Sequence, residues 1–362
     1  MASSYPFGND PEKIQRYKAF WNRDAVDRPL VGFSFVGWYP LEYFSVCKSW
    51  NVNDHVTPDM IEPEEWLDDY EQLLREGDRV DDDILRGACP IQVAFPCFLP
   101  AMLGSQVRVL PDNVMGDEQR LSWEEACAKR LDLEDPWFRK CMEFAEALTR
   151  RSAGRYPIGH GPELGPTDLH AVLRGHNESI IDLMDEPDRS AELLMNLGHI
   201  FAGFFRETWK RLPLFHGGYF DAQYQLWAPG PIIRMQEDAT AVFSPDLYRR
   251  FVQPVDRMIA KQFACSFIHL HSTSMFLLDA FLEIEEIRCF EINIEPFNIP
   301  LEGMIEFYQR VQEANRPLLV RGSTTEDELR LLLDSLDPRG LYLHLMPESQ
   351  SEVDKLRAIV GM

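Results

Sequence analysis

His269 and His271 lie in the run Ser266-Phe267-Ile268-His269-Leu270-His271-Ser272-Thr273-Ser274. A β-strand sends successive side chains to opposite faces, so the two imidazoles share one face if this run is a strand. Neutral imidazole is a common ligand for zinc and related divalent metals. The spacing therefore predicts a metal position where the strand opens into its loop; the plain alternative makes one histidine a core residue and the other a loop residue. The next apolar segment, Phe290-Glu291-Ile292-Asn293-Ile294-Glu295-Pro296, alternates in the same way. Its polar face is costly to bury unless paired, so Glu291 and Glu295 read as site residues beside the histidines. His344 and Glu348 are further candidates for a third ligand.

Other residues could handle protons or anions. In Phe215-His216-Gly217-Gly218-Tyr219-Phe220-Asp221, two glycines would let the backbone approach a ligand, with His216, Tyr219 and Asp221 as proton donors. His160, between Gly159 and Gly161, reads either as a pocket residue or as a partner of turn backbone. Arg321-Gly322-Ser323-Thr324-Thr325 ends a strand and opens a helix whose free N–H groups could hold an anion. Glu326 and Glu328 favour ordinary capping there, leaving Arg321 as the substrate contact. Arg28 is a second cationic anchor. Asp81-Asp82-Asp83 reads as a solvated turn rather than a metal site.

These groups need a scaffold, and the chain is long enough to build one. Its 362 residues are 45% hydrophobic and 12% aromatic, enough for one large core. The net charge of −23 argues against nucleic acid or an anionic membrane as partner. Seven scattered cysteines, with no Cys-x-x-Cys pair, fit a reducing compartment. Residues 1–6 lack the basic and apolar regions of a signal peptide, and no apolar stretch is long enough to span a bilayer. A cytoplasmic protein acting on a small molecule is expected. Phe95, Phe98, Met102, Trp38 and Tyr39 read as core or as an oligomer contact, a homodimer being the expected assembly.

Helical periodicity marks residues 11–22, 62–76, 137–151, 168–174, 187–211, 245–265, 301–313, 326–334 and 352–360. Apolar runs mark strands at 30–36, 91–95, 156–162, 214–219, 238–242, 266–271, 289–294, 317–320 and 341–345. Strand and helix alternate through the second half, which implies parallel strands with right-handed crossovers. About eight strands and no dinucleotide-binding glycine fingerprint favour a single (β/α)8 TIM barrel of the α/β class over a doubly wound sheet. The expected division is a helical segment over residues 1–27 and the barrel over 28–362. Barrel chemistry sits at the carboxyl ends of the strands, where His269 and His271 fall.

Several segments, in order, resemble the uroporphyrinogen decarboxylase superfamily. They are Asp27-Arg28-Pro29-Leu30-Val31, the loop Gly161 to Asp168, Arg174-Gly175 with Asp182 to Pro187, Phe243-Ser244-Pro245-Asp246-Leu247-Tyr248 with Pro254, and Ile268-His269-Leu270-His271. The resemblance implies the same barrel and one of two chemistries. One is cofactor-free decarboxylation of the acetate side chains of a tetrapyrrole. The other is zinc-dependent methyl transfer between a corrinoid on a partner protein and a thiol such as coenzyme M. The decarboxylases carry arginines in an N-terminal segment that here, at Gly32 to Pro40, has none, which argues against that activity. In the methyltransferases a His-x-Cys pair and a later cysteine bind zinc. Here His271 replaces the first thiolate and the region around His344 offers no cysteine, so a harder, more cationic site is implied. The reading is a metal-dependent methyltransferase using a corrinoid or a small methyl donor. Its alternatives are a decarboxylase or lyase of a small carboxylated substrate, and a barrel that binds a ligand without chemistry.

Overall fold

Six short apolar runs form the central sheet of the computed structural model, which describes residues 5–35, 43–91, 98–111, 113–295 and 298–362. In chain order the strands are β1 (Leu30–Phe33), β2 (His55–Val56), β3 (Val107–Val109), β4 (Val114–Gly116), β5 (Tyr219–Asp221), β6 (Leu226–Ala228), β7 (Ile232–Gln236), β8 (Cys265–Leu270), β9 (Cys289–Asn293), β10 (Leu318–Gly322) and β11 (Leu341–Leu345). The central sheet runs β1-β11-β10-β9-β8-β7, with every pair parallel. All residues of these six strands are buried, the signature of a parallel sheet covered on both faces. Parallel pairing continues past β1: Asp83 N–H donates to Val31 O (3.0 Å), and Ala88 bridges Ile158, while His160 bridges Asp221.

Amphipathic helices supply the covering layer. Residues Pro187–Trp209 bury Leu193, Leu194, Leu197, Ile200, Phe201, Phe204 and Phe205, the stripe that periodicity predicts. The helix Glu326–Ser335 starts at a capping box, Thr325 with Glu328, so the Ser/Thr run after Arg321 is indeed a cap. The N-terminal helix Lys13–Asn22 is tied to the β5–β6 hairpin: Tyr17 Oη donates to Gln225 O (2.6 Å) and Trp21 Nε1 to Trp227 O (2.9 Å). Among the described residues no helix is long and apolar enough to cross a membrane.

Four expectations need correction. Residues 214–218 are a turn rather than a strand, with His216 at φ 48° and Gly217 at φ 79°. Residues 238–242 form a 3-10 helix, and the strand lies just before them, as β7. The helix over 245–265 is interrupted by a π-turn at Tyr248–Val252 and ends at Ala260. The acidic triplet is solvated only at Asp81. Asp82 accepts from Arg86 Nη2 (2.8 Å), Phe33 N (2.9 Å) and Lys13 Nζ (3.3 Å), and Asp83 pairs with Arg28. Three basic side chains from the N-terminal segment (Lys13, Arg16 and Arg28) and the nearby Arg86 neutralise the two buried carboxylates. Most of the expected strand at 91–95, with Trp38, Tyr39 and Phe95, lies outside the described residues; Phe98 is buried and Met102 half-buried.

Candidate metal centre

The register of the parallel sheet decides which side chains meet. Gln236 stands beside His269, His269 beside Glu291, Asn293 beside Arg321, and Arg321 beside His344. Paired residues point to the same face, as do residues two apart. Arg234, Gln236, His269, Glu291, Asn293, Arg321 and His344 therefore form one polar face across five strands, and His271 continues it one step past β8. The intervening Met235, Ile268, Leu270, Ile292, Val320 and Leu343 form the opposite, apolar face, and each is fully buried or nearly so.

At the carboxyl end of this face the two imidazoles meet, with His269 Nε2 3.1 Å from His271 Nε2. Their other nitrogens are both taken by carboxylates. His269 Nδ1 bonds Glu291 Oε2 and lies 2.9 Å from Tyr224 Oη; His271 Nδ1 bonds Glu295 Oε1. Glu295 is fixed in turn by Ser272, whose N–H (3.0 Å) and Oγ (2.6 Å) donate to Oε2. A carboxylate at Nδ1 holds the proton there and turns the Nε2 lone pair to the shared spot. Glu295, whose pKa burial would raise but its partners keep at about 2, does so for His271; Glu291, raised by burial to about 8, does so for His269 once it is ionised. Asp238 Oδ2 lies 3.8 Å from His271 Nε2 and accepts from Gln236 Nε2 (2.7 Å). Asp238, His269 and His271 each offer one ligand atom, all within 4.8 Å of one another.

Burial pushes the His269 pKa well below its ordinary value, so this ring is neutral. Burial also opposes charge on His271, but Asp238 and Glu295 outweigh it and hold that pKa up to about 10. A single proton thus occupies the point where the lone pairs converge. A divalent cation fits the same point: in a tetrahedral site with metal–nitrogen bonds near 2.0 Å, ligand atoms sit about 3.3 Å apart. Burial raises Asp238, but the neighbouring histidines win and keep its carboxylate charged, as a ligand must be.

The remaining candidates separate by place. Glu291 and Glu295, expected as third ligands, instead bond the Nδ1 atoms and stand outside the convergent point. His344 is buried, its Nε2 2.9 Å from Ser34 Oγ and its ring stacked on Tyr342, and Glu348 is exposed. Asp221 is buried beneath the site, where burial lifts its pKa to about 7 and Tyr224 N–H donates to it (2.9 Å). Arg321 shares the polar face, its guanidinium 5.5 Å from the Tyr224 ring centre.

Arg28, His160, His216 and Tyr219 are not brought to the site. Arg28 sits ahead of β1, at the amino end of the sheet, fixed by Asp83. His160 is a core residue bonded to Thr208 and packed on Phe205 and Trp209. His216 is exposed at the tight turn and leans on Phe215, while Tyr219 packs edge-on against Trp209. Gly218 is taken up by packing rather than by a ligand, since a Cβ there would lie 2.2 Å from the Trp227 ring, and Gly217 serves the turn through its φ of 79°. Asp238, Gln236, Arg234 and Tyr224 escaped the sequence reading. Arg234-x-Gln236 carries the same alternation that singles out Glu291, Asn293 and Glu295, whereas Asp238 lies beyond the strand and Tyr224 in a turn, where periodicity gives no signal.

Among solved structures, a methyltransferase from Methanosarcina mazei is similar over 96% of this chain and 97% of that one, with a TM-score of 0.62 and 13% sequence identity. At that identity the likeness speaks for the fold alone. No family model and no curated protein matches the sequence.

Proposed function

We propose that the chain closes into a (β/α)8 barrel and acts as a metal-dependent methyltransferase, with a divalent cation, zinc first, on Asp238, His269 and His271. The methyl donor in this reading is a corrinoid carried by a partner protein or a small methylated molecule. The observation that carries it is the convergence of two Nε2 lone pairs and a charged carboxylate oxygen, with both Nδ1 atoms fixed by Glu291 and Glu295. Such outer carboxylates orient ligand histidines and raise their basicity. The barrel is supported by the six parallel strands and by the pairings that extend them beyond β1 through Ala88, Ile158 and His160. The similar chain named a methyltransferase supports the reaction class only by analogy of fold.

A cation on this site would lower the pKa of a thiol, hydroxyl or water bound to it and make that group nucleophilic. The protein's own residues supply the rest. Gln236 orients Asp238, Glu291 and Glu295 set the two tautomers, and Tyr224 closes the inner side of His269. Two imidazoles and one carboxylate leave a divalent cation with a net positive charge, which favours an anionic nucleophile. Decarboxylation loses Arg28 as an anchor, because its guanidinium is bound to Asp83.

Metal analysis of tag-free protein after reconstitution with zinc, iron or manganese tests this reading. One equivalent is expected in the wild type and a large loss in His269→Ala, His271→Ala and Asp238→Ala. Failure of the wild type to retain any of the three would overturn it. Transfer from methylcobalamin to small thiols then distinguishes methyl transfer from other metal chemistry.

A further inference from the structure

Arg234 is not among the metal-convergent groups, and no carboxylate pairs with it directly: burial opposes its charge, while Tyr224, Asp221 and Asp238 nearby hold its pKa up. The side chain is 3% exposed, and among the described residues no carboxylate forms an ion pair with it. Its Nη1 donates to the neutral amide oxygen of Gln236, and its Nε, fully buried, meets no acceptor. The nearby acids are already engaged: Glu291 on His269, Glu295 on His271, Asp238 on Gln236 and Asp221 on the Tyr224 N–H. A buried guanidinium left this way is expensive unless something else completes it.

Three more buried atoms on the same polar face have no partner: Glu291 Oε1, Asn293 Oδ1 and His344 Nδ1. The register places all three on the same face of the sheet as Arg234, and native proteins leave few such groups unsatisfied. One side of the face thus lacks an acceptor for Arg234, and the other lacks donors for Glu291 and Asn293. Arg321 adds a second cation there, its guanidinium and that of Arg234 lying 5.5 Å and 5.7 Å from the centre of one ring, Tyr224.

We propose that this face binds a small carboxylate that also carries a hydroxyl or amino donor, its carboxylate on Arg234 with Arg321 adding charge, and its donor on Glu291 and Asn293. The inference rests on the methyltransferase reading for its function, since it names the substrate class of that site. Arg234 is linked to the metal position through Gln236 and Asp238, so the bound acid would lie beside the cation.

The test is isothermal titration of the full-length protein, with and without chelator, using L-lactate and L-serine as probes and their neutral amides as controls. Saturable binding of at least one acid, and not of its amide, is expected in both forms of the protein. Arg234→Gln should weaken it about tenfold or more, with metal content unchanged, and Arg234→Lys should retain part of it. If neither acid binds the wild type, or if each amide binds as well as its acid, the inference fails whatever the metal analysis gives. Unchanged acid binding in folded Arg234→Gln also overturns it. Acid binding in a protein that takes up no metal would leave the anion site standing and sink only the metal reading. Should Arg234→Gln not fold, the comparison of acid with amide in the wild type still decides.

Discussion

His271 is the residue on which metal and proton compete. Between His269 and Asp238 it carries a proton up to about pH 10 because the two carboxylates outweigh burial. A metal must displace that proton, whereas Asp238 is already charged and His269 already neutral. Metal uptake should therefore release about one proton per site at pH 7, and affinity should climb roughly tenfold per pH unit up to pH 10. Calorimetry in two buffers of different ionisation enthalpy measures the release. Identical heats in both buffers would mean that the proton is not on the metal's site. The histidines and glutamates of this cluster were legible in the sequence because they alternate strictly with Ile and Leu. Asp238 was not, since it lies two residues beyond the end of its strand and is held there by Gln236 rather than by periodicity.

At the level of elements, the strands were read best where burial makes the apolar run continuous. Residues 341–345 and 289–293 matched within a residue, whereas β7 was missed. Its positions on the polar face are Arg234 and Gln236, so the continuous apolar run that marks a buried strand is broken there. The β5–β6 hairpin was hidden for another reason. Its turn, residues 222–225, holds no glycine, and Gln225 takes the left-handed φ of 50° there. The junction of β1 with the segment after it was misread outright, because an acidic triplet looks solvated until its partners are known. Asp82 is buried between Arg86 and Lys13, and burial, which favours the neutral acid, is outweighed by those charges so that its pKa is lowered. Asp82→Ala should cost about 3 kcal/mol, because it strands Arg86 and frees Phe33 N–H. Denaturant titration checks this; a loss under 1 kcal/mol would mean that Glu76 alone satisfies Arg86.

For the whole molecule, the buried polar groups that make a site also set how stability follows pH. Burial raises Glu163 to about 8 and Asp221 to about 7, and it raises Asp168 as well. A carboxyl whose folded pKa lies above its unfolded value stabilises the fold most when protonated. That contribution is fully present only below the unfolded pKa, near 4, and is lost as pH rises from there through the folded pKa, so that it is gone above about 8. Buried histidines work the other way: burial lowers His160 to about 3, so its stabilising neutral form is complete once the unfolded chain deprotonates, near pH 6.5. Above pH 6.5 the buried histidines no longer offset the carboxyls, so the unfolding midpoint should fall by a few degrees between pH 6.5 and 8.5, each pKa unit being about 1.4 kcal/mol per group. The net charge of −23 offers a rival cause, since repulsion also destabilises an acidic protein. Surface repulsion is screened by salt and burial is not, so the fall should persist in 0.5 M NaCl and shrink in Glu163→Gln. A midpoint that becomes flat with pH at high salt would assign the effect to the surface charge and take it away from the buried acids.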